Sequence, residues 1–262
     1  MKALFSIIIF IAVFTSSIAY GRDVRVEGYH MKVDIFEKLF GSASKSKYLR
    51  LSTDKGEAIL KLYNETPLHR DNFIKLARRG YFNGTLFHRV IPSFMIQGGD
   101  PDSRNAPAGK LLGDGGPSYT IPAEFNDSLF HKRGALAAAR DDNPGRASSG
   151  SQFYLVQGKT YTDEELNRVE QGRLQGRKIP ERQRAVYKTL GGAPFLDQSY
   201  SVFGEIVKGY EMVDVIAGSP RDENDRPLVN ISMKITVLKN REVRKLEKQL
   251  KQDAFRSKLI MK

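Results

Sequence analysis

The chain has no cysteine and no tryptophan, only four histidines, and no apolar run long enough to cross a bilayer comfortably. The lack of cysteine excludes disulfides, thiolate metal sites, cysteine nucleophiles and a lipidated cysteine behind a signal. It does not choose a redox compartment. His30, His69, His88 and His131 are scattered, with none of the spacings that hold a metal. No Gly-x-Ser-x-Gly elbow occurs. The glycine-rich stretch Gly109–Gly116 lacks the lysine and Ser/Thr spacing of a phosphate loop, and reads as a turn that lets backbone pass close to a neighbour. Asp141-Asp142 lies in a Gly/Pro-containing loop, where adjacent acids form turns. Hydrolysis by a nucleophile or a metal has no support here.

What is present is a basic chain of 262 residues, 40% hydrophobic and 27% charged, with a formal net charge of +12. That composition is globular, sized for one large domain or two small ones. The charge alone would permit nucleic-acid or anionic-membrane contact. No zinc spacing, recognition helix or aromatic nucleic-acid motif accompanies it, so nucleic acid is not an expected partner. At the amino terminus, Lys2 precedes an apolar run from Ala3 to Phe14 and then Thr15-Ser16-Ser17-Ile18-Ala19. A positive start, a short apolar core and small residues describe a secretory signal over residues 1–19, with an uncleaved anchor as the alternative. The run falls short of the ~20 residues that a span needs. Either way the folded part is expected across the membrane, in the periplasm. Residues 20–48 read as a lead-in.

Regular patterning begins at Leu49. Leu49–Thr53 and Ala58–Tyr63 flank Asp54-Lys55-Gly56-Glu57 and predict a hairpin. Thr66-Pro67 predicts a helix start, with the Thr66 hydroxyl as N-cap and proline in the first turn. Phe73, Leu76 and Ala77 share one face of that helix, and Gly80 sits at its C-terminal cap. From Tyr81 to Val156, short apolar runs alternate with turn residues, as in an antiparallel barrel or sandwich. Residues 160–191 predict a helical insertion in two pieces, opened by a capping box at Thr162–Glu165 and interrupted by Gly172, Gly176 and Pro180. Strand patterning resumes at Tyr200–Gly204, and Tyr210–Ile216 predicts a short helix. Val229, Ile231, Met233, Ile235 and Val237 alternate as a last strand, placing the end of the domain near residue 239. Asn240–Lys262 carries eight Lys/Arg against three acids, with Val243, Leu246 and Leu250 at helical spacing. It predicts a terminal helix packed on the domain; weak contact with a membrane surface is the other reading.

The densest chemistry lies in Phe87-His88-Arg89-Val90-Ile91-Pro92-Ser93-Phe94-Met95-Ile96-Gln97-Gly98-Gly99-Asp100-Pro101. One arginine and one glutamine sit among large apolar side chains, which suggests a site for something both apolar and polar. Phe87, Val90 and Phe153 are expected in the core. Taken with Ala135–Arg140, Ser149-Gly150-Ser151-Gln152-Phe153-Tyr154, Phe195-Leu196-Asp197 and Tyr200–Gly204, this segment resembles the cyclophilin peptidyl-prolyl cis-trans isomerases from about Leu49 to Leu238. Within that family it looks most like secreted bacterial members with a helical insertion. The resemblance implies a mainly β fold: a closed, eight-stranded antiparallel β-barrel capped by helices, with a groove on its outer face for proline-containing polypeptides. It implies Arg89 as the catalytic arginine. Phe94, Met95, Tyr154 and Leu196 would form the proline pocket. Gln97 and Gln152 would bond the peptide or hold the arginine, and Ala139 and Arg140 would pair with the substrate backbone. Phe195 and Tyr200 would form the far wall, where many members have Trp and His. The missing indole N–H argues against cyclosporin-type drug binding. No cofactor is implied, and a monomer is expected.

The residue set has its own physical logic. Rotation about X–Pro crosses a barrier of about 18–20 kcal/mol set by amide resonance. Any group that favours the twisted amide over the planar one speeds rotation. Twisting makes the prolyl nitrogen pyramidal and returns its lone pair, which a guanidinium can bond. A non-catalytic proline-peptide binder or holdase on the same barrel is the rival of a different class.

The expected processing is cleavage after Ala19. Amino-terminal sequencing of the exported protein should begin at Tyr20, with Arg22 as the start if the Ala19-x-Gly21 site is used; an intact Met1-Lys2 end would identify an anchor.

Overall fold

The computed structural model describes residues 47–260, with side chains to residue 256. The proposed signal and most of the lead-in lie outside the described residues. The chain forms β1 (Tyr48–Thr53), β2 (Gly56–Leu62), α1 (Pro67–Arg78), β3 (Phe87–Ile91), β4 (Met95–Gly98), β5 (Thr120–Ile121) and β6 (Ala135–Ala138). It continues through β7 (Ser148–Ser149), β8 (Phe153–Val156), α2 (Asp163–Gln171), α3 (Glu181–Thr189), β9 (Val202–Lys208), α4 (Glu211–Ala217), β10 (Lys234–Val237) and α5 (Asn240–Ile260). Eight strands make one antiparallel sheet in the order β10-β1-β2-β9-β6-β8-β4-β3, and β5 pairs with β7. Among the described residues no helix is long and apolar enough to cross a membrane.

The pleat decides what goes inside. Successive residues of a strand face opposite sides of the sheet. Ile96, Phe153, Leu155, Leu136 and Ala138 therefore join Leu49, Leu51, Leu60 and Leu62 in the main core, together with Phe87 and Val90. Their neighbours Met95, Tyr154, Val156, Ala135 and Ala137 form a separate apolar cluster on the outer face. Phe73, Leu76 and Ala77 of α1 and Met212, Val213 and Ile216 of α4 complete the main core. The short last strand follows the predicted alternation only in part. Ile231, Met233 and Ile235 are buried, while Val229 lies before the strand and is exposed.

Full closure of the barrel is more than the fold achieves. The edge strands β3 and β10 share no ladder. The segments leading into them meet at a single bridge, Leu86 with Ser232. Backbone bonds Phe87 N–H to Ile231, Gly84 N–H to Met233 and Met233 N–H to Thr85 add to this partial seam. Short, bridged edges of this kind leave little template for another strand.

The first helix also departs from expectation. Thr66 makes no side-chain cap, although Pro67 does occupy the first turn. Its backbone at φ −127°, ψ 65° is not in the extended geometry of an N-cap. The exposed amides are taken instead by the Glu124 carboxylate, from Leu68 N–H at 3.0 Å and His69 N–H at 2.9 Å. The same carboxylate holds His69 Nδ1 at 2.6 Å, and His69 Nε2 meets Ser148 Oγ at 3.0 Å. A long-range acid thus does the work of a local hydroxyl, with the added attraction of negative charge at a helix start. At the other end, Gly80 adopts φ +67° just past the cap, as predicted.

The insertion forms its two helices around a small core of Leu166, Leu174, Ile179 and Tyr187, with Phe130 and Tyr161 packed against it. Thr162 and Glu165 make the reciprocal capping box. Glu170 ties the pieces together by accepting from Ile179 N–H at 3.0 Å and Arg184 at 2.9 Å. The terminal helix α5 packs through Leu246, with Val243 and Leu250, onto Tyr48, Ile59 and Leu238.

Glu124→Ala is expected to destabilise the fold by about 2–4 kcal/mol, the sum of a lost helix cap and a charge-assisted bond to a buried histidine. Urea unfolding at neutral pH measures it. Thr66→Ala should cost far less, because its hydroxyl caps nothing.

Candidate active site

Register places the site. Arg89 of β3 sits opposite Gln97 of β4, Gln97 opposite Tyr154 of β8, and Tyr154 opposite Ala137 of β6. Directly opposed residues share a face, so these side chains form one row across the outer surface. The next row pairs Ile91, Met95 and Val156. Phe94 enters from the β3–β4 turn, where Ser93 takes φ +61° and the Phe94 carbonyl accepts from Gln157 and Gly158 at 3.0 Å. Leu196 arrives on a single 3₁₀ turn, Pro194–Leu196.

The structure gathers most of the candidate residues around one cavity of about 150 Å³, lined by Arg89, Phe94, Met95, Gln97, Ala139, Arg140, Tyr154, Leu196 and Tyr200. Small-molecule pockets are commonly about 300–1,000 Å³, so this one suits a single residue of a longer chain. Its floor is buried: Met95 is 2% and Tyr154 4% exposed. Arg89 stands beside the apolar floor rather than within it. Its side chain is 47% exposed at the rim, with Nε 3.7 Å from Asp225 Oδ2. A half-exposed pair at that distance steers the guanidinium more than it stabilises the fold.

Two candidates stand behind the cavity. Phe195 packs its ring 5.3 Å from Phe94 and backs that wall. Gln152 lies beside the rim in an adjoining cavity of about 170 Å³ that Gln97 and Gly113–Pro117 also line. Gln152 Oε1 accepts from Gln97 Nε2 at 3.1 Å, and its own Nε2 donates to the carbonyls of Gly113 (2.6 Å) and Gly115 (2.8 Å). The glycine-rich loop is therefore a close backbone approach, as the sequence predicts. Gly113 N–H bonds Asp100 Oδ2 at 2.6 Å, and a side chain on Gly115 would strike the Asp100 carboxylate.

Ala139 and Arg140 lie just beyond the end of β6. Ala139 spends both backbone groups inside the fold, its N–H on Gln152 O at 3.0 Å and its carbonyl on Ser149 N–H at 2.8 Å. Among the described residues Arg140 has no backbone bond of this kind. Its guanidinium lies 4.8 Å from the Tyr200 ring centroid, and Nε donates to Ser199 O at 3.0 Å. Tyr200 in turn sits edge-on to Tyr154 at 6.0 Å.

Sequence reasoning did not find Asp225, which reaches Arg89 from a loop far along the chain and accepts Val90 N–H on its carbonyl. It also did not find the partners of Tyr154. That hydroxyl bonds His131 Nε2 at 2.9 Å, and His131 Nδ1 bonds Asp197 Oδ1 at 2.8 Å. Burial raises the Tyr154 pKa, with Tyr200 and Asp197 adding to it, so the hydroxyl stays a donor. Among the described residues no group of His, Asp and Glu is placed to hold a metal.

An outward-facing cavity with an apolar floor and the Arg89 guanidinium and Gln97 amide at its rim, on a curled eight-stranded sheet, can grip a ring and reach a lone pair beside it. Comparison with known proteins agrees with that geometry. The family model for cyclophilin type peptidyl-prolyl cis-trans isomerase matches residues 48–238, and the chain belongs to this family. A putative peptidyl-prolyl cis-trans isomerase of Staphylococcus saprophyticus is 34% identical over 71% of this chain and 88% of its own length. One from Staphylococcus aureus is 35% identical over 69% of this chain and 86% of its own. A putative bifunctional phosphatase/peptidyl-prolyl cis-trans isomerase of Streptococcus pyogenes is 36% identical over 68% of this chain, which spans only 35% of that longer protein. In fold, a cyclophilin type isomerase of Cryptosporidium parvum crystallised in the presence of the dipeptide Ala-Pro superposes with a TM-score of 0.53 at 23% identity, covering 74% of this chain and 99% of its own.

His88, adjacent to Arg89 but facing inward, gives the region a pH signature. Burial pushes its imidazole down to about 4; Asp100 opposes this, and Arg89 reinforces it. An unfolded histidine titrates near 6.5, so between that value and 4 the unfolded chain binds the extra proton. Stability should therefore fall by about 3 kcal/mol through His88 as pH drops across this window, with the loss complete below pH 4. His69, lowered by burial as well, titrates in the same direction. Urea midpoints at pH 7, 5.5 and 4 should show the decline, and His88→Gln should remove part of the slope but not all of it.

Proposed function

We propose that this chain catalyses rotation of X–Pro bonds in exported polypeptides, and so assists their folding, at the cavity beneath Arg89. The observation that carries this reading is the juxtaposition of the Arg89 guanidinium with the apolar cavity of Phe94, Met95, Tyr154 and Leu196. The pyrrolidine ring seats in the cavity. Chain segments on either side stay in the open groove, since a polypeptide substrate cannot be enclosed. Arg89 then donates to the prolyl nitrogen as it becomes pyramidal. It gains little from the planar amide, whose nitrogen lone pair is delocalised into the carbonyl, and this difference lowers the barrier. Arginine suits the task because it stays charged and presents a rigid fork. Gln97, anchored through Gln152 to the glycine-rich loop, offers its remaining amide capacity to the substrate carbonyl. Backbone pairing with the substrate falls to Arg140, since Ala139 is already engaged. The dipeptide in the crystals of the Cryptosporidium relative supports a proline-containing ligand.

Export rests on the amino-terminal pattern of Lys2 and the Ala3–Phe14 run. The exposed basic face of α5, with Arg241, Arg244, Lys245 and Lys248, supports weak contact with an anionic membrane surface.

The test is a protease-coupled isomerisation assay on a proline tetrapeptide. Arg89→Ala should lower kcat/KM by roughly 10²–10³-fold, the usual effect of losing one donor aimed at a transition state. Its unfolding midpoint should stay near that of the wild type, because Arg89 is half exposed. An unchanged rate would remove Arg89 from catalysis, and a wild type that leaves the slow phase untouched would make the chain a proline-peptide binder.

A further inference from the structure

We propose that the helical insertion sets the shape of the proline pocket through a buried hydrogen-bond relay, Tyr187–Asp197–His131–Tyr154, with Tyr187 as a positioning residue. This rests on the isomerase reading of the same cavity. Tyr187, on α3 of the insertion, donates to Asp197 Oδ2 at 2.7 Å. The other carboxylate oxygen takes His131 N–H at 2.9 Å and His131 Nδ1 at 2.8 Å. With its Nδ1 facing a carboxylate, the imidazole carries its proton there and presents Nε2 as an acceptor to the Tyr154 hydroxyl. Tyr154 then lies in the cavity wall. All four side chains are buried, with Tyr187 and His131 at 0% exposure, Asp197 at 3% and Tyr154 at 4%.

Burial gives the relay its force. In this setting a polar group without a partner is costly, so each member is held by the next. Deleting the Tyr187 hydroxyl leaves Asp197 Oδ2 without its donor, and the carboxylate must turn to find another. That turn pulls on His131 and therefore on the Tyr154 ring. The insertion holds the opposite wall too: Arg177 donates to the Asp197 carbonyl at 2.7 Å, one residue from Leu196. The two elements meet at Gly192, with φ +153°, where a side chain would strike both the His131 carbonyl and the Tyr187 ring. No such path is needed for packing alone, since Leu166, Leu174 and Ile179 already give the insertion an apolar core.

The experiment uses the full chain with Tyr187→Phe, Tyr154→Phe and the double variant. Readouts are steady-state isomerisation, the ¹³Cζ resonance of Tyr154 (assigned by its loss in Tyr154→Phe), and the unfolding midpoint. Tyr187→Phe should raise KM and lower kcat/KM by about tenfold at most, the worth of one buried hydrogen bond, and should move the Tyr154 resonance. In the Tyr154→Phe background it should cost no further activity, although its loss of stability persists. Equal activity losses in both backgrounds, or an unmoved resonance with unchanged KM, would overturn the relay. If the wild type does not isomerise, the enzymatic reading fails separately, and the Tyr154 resonance still decides whether the insertion reaches the wall. Arg177→Ala carries the same KM test from the Leu196 side should Tyr187→Phe not fold.

Discussion

A filled barrel interior is the constraint on which everything else depends. Leu49, Leu60, Phe153, Leu155 and Ile206 leave no room inside, so a ligand can only be met on the outer face. The two-residue period of the strands then does two jobs at once. It sends Ile96 inward and Met95 and Gln97 outward from one short strand, and Leu155 inward and Tyr154 outward from the next. Core and site are the two sides of the same pleat. A one-residue slip of β4 would exchange them and destroy both, which is why register is so strongly specified here.

The outer face needs support of a kind that the inner face does not. An exposed apolar cluster on a sheet would have no fixed shape without neighbours, and three different neighbours supply it. The β3–β4 turn delivers Phe94, and Phe195 of the Pro194–Leu196 turn backs it. The glycine-rich loop pins Gln152, and through it Gln97, using backbone carbonyls alone. The insertion holds the Asp197 strap that carries Leu196. Arg89 is the least restrained member, half exposed with, among the described residues, one long contact to Asp225. That distribution fits the proposed chemistry, in which the walls hold a ring firmly while the guanidinium follows a nitrogen that changes geometry.

What could be read in the sequence was whatever depends on short spacing. The first hairpin, the capping box at Thr162, the two-piece insertion, the short helix at Glu211–Ala217 and the terminal helix all express local periodicity or local capping. The cavity residues were legible because most fall in a few contiguous motifs. What the sequence concealed depends on distance along the chain. Glu124 caps a helix that begins more than fifty residues earlier, and no local rule anticipates that a remote acid would displace Thr66. Asp225 and His131 are unremarkable in their own segments and matter only through what the fold sets beside them. The barrel's incomplete seam was equally hidden, because strand pattern gives the number of strands but not how many bonds join the last to the first.

The place of β1 in the sheet has a consequence for how the chain comes to be folded. Its partners are its own hairpin neighbour and the last strand, with Leu49 opposite Leu60 on one side and Val237 on the other. A ribosome releases β1 long before β10. Until β10 emerges, one edge of the first strand has no mate, and the sheet cannot complete itself piecemeal. Pairings so distant in sequence are slow to form and leave strand edges open meanwhile. A prolyl isomerase thus passes through a long unfinished stage of its own.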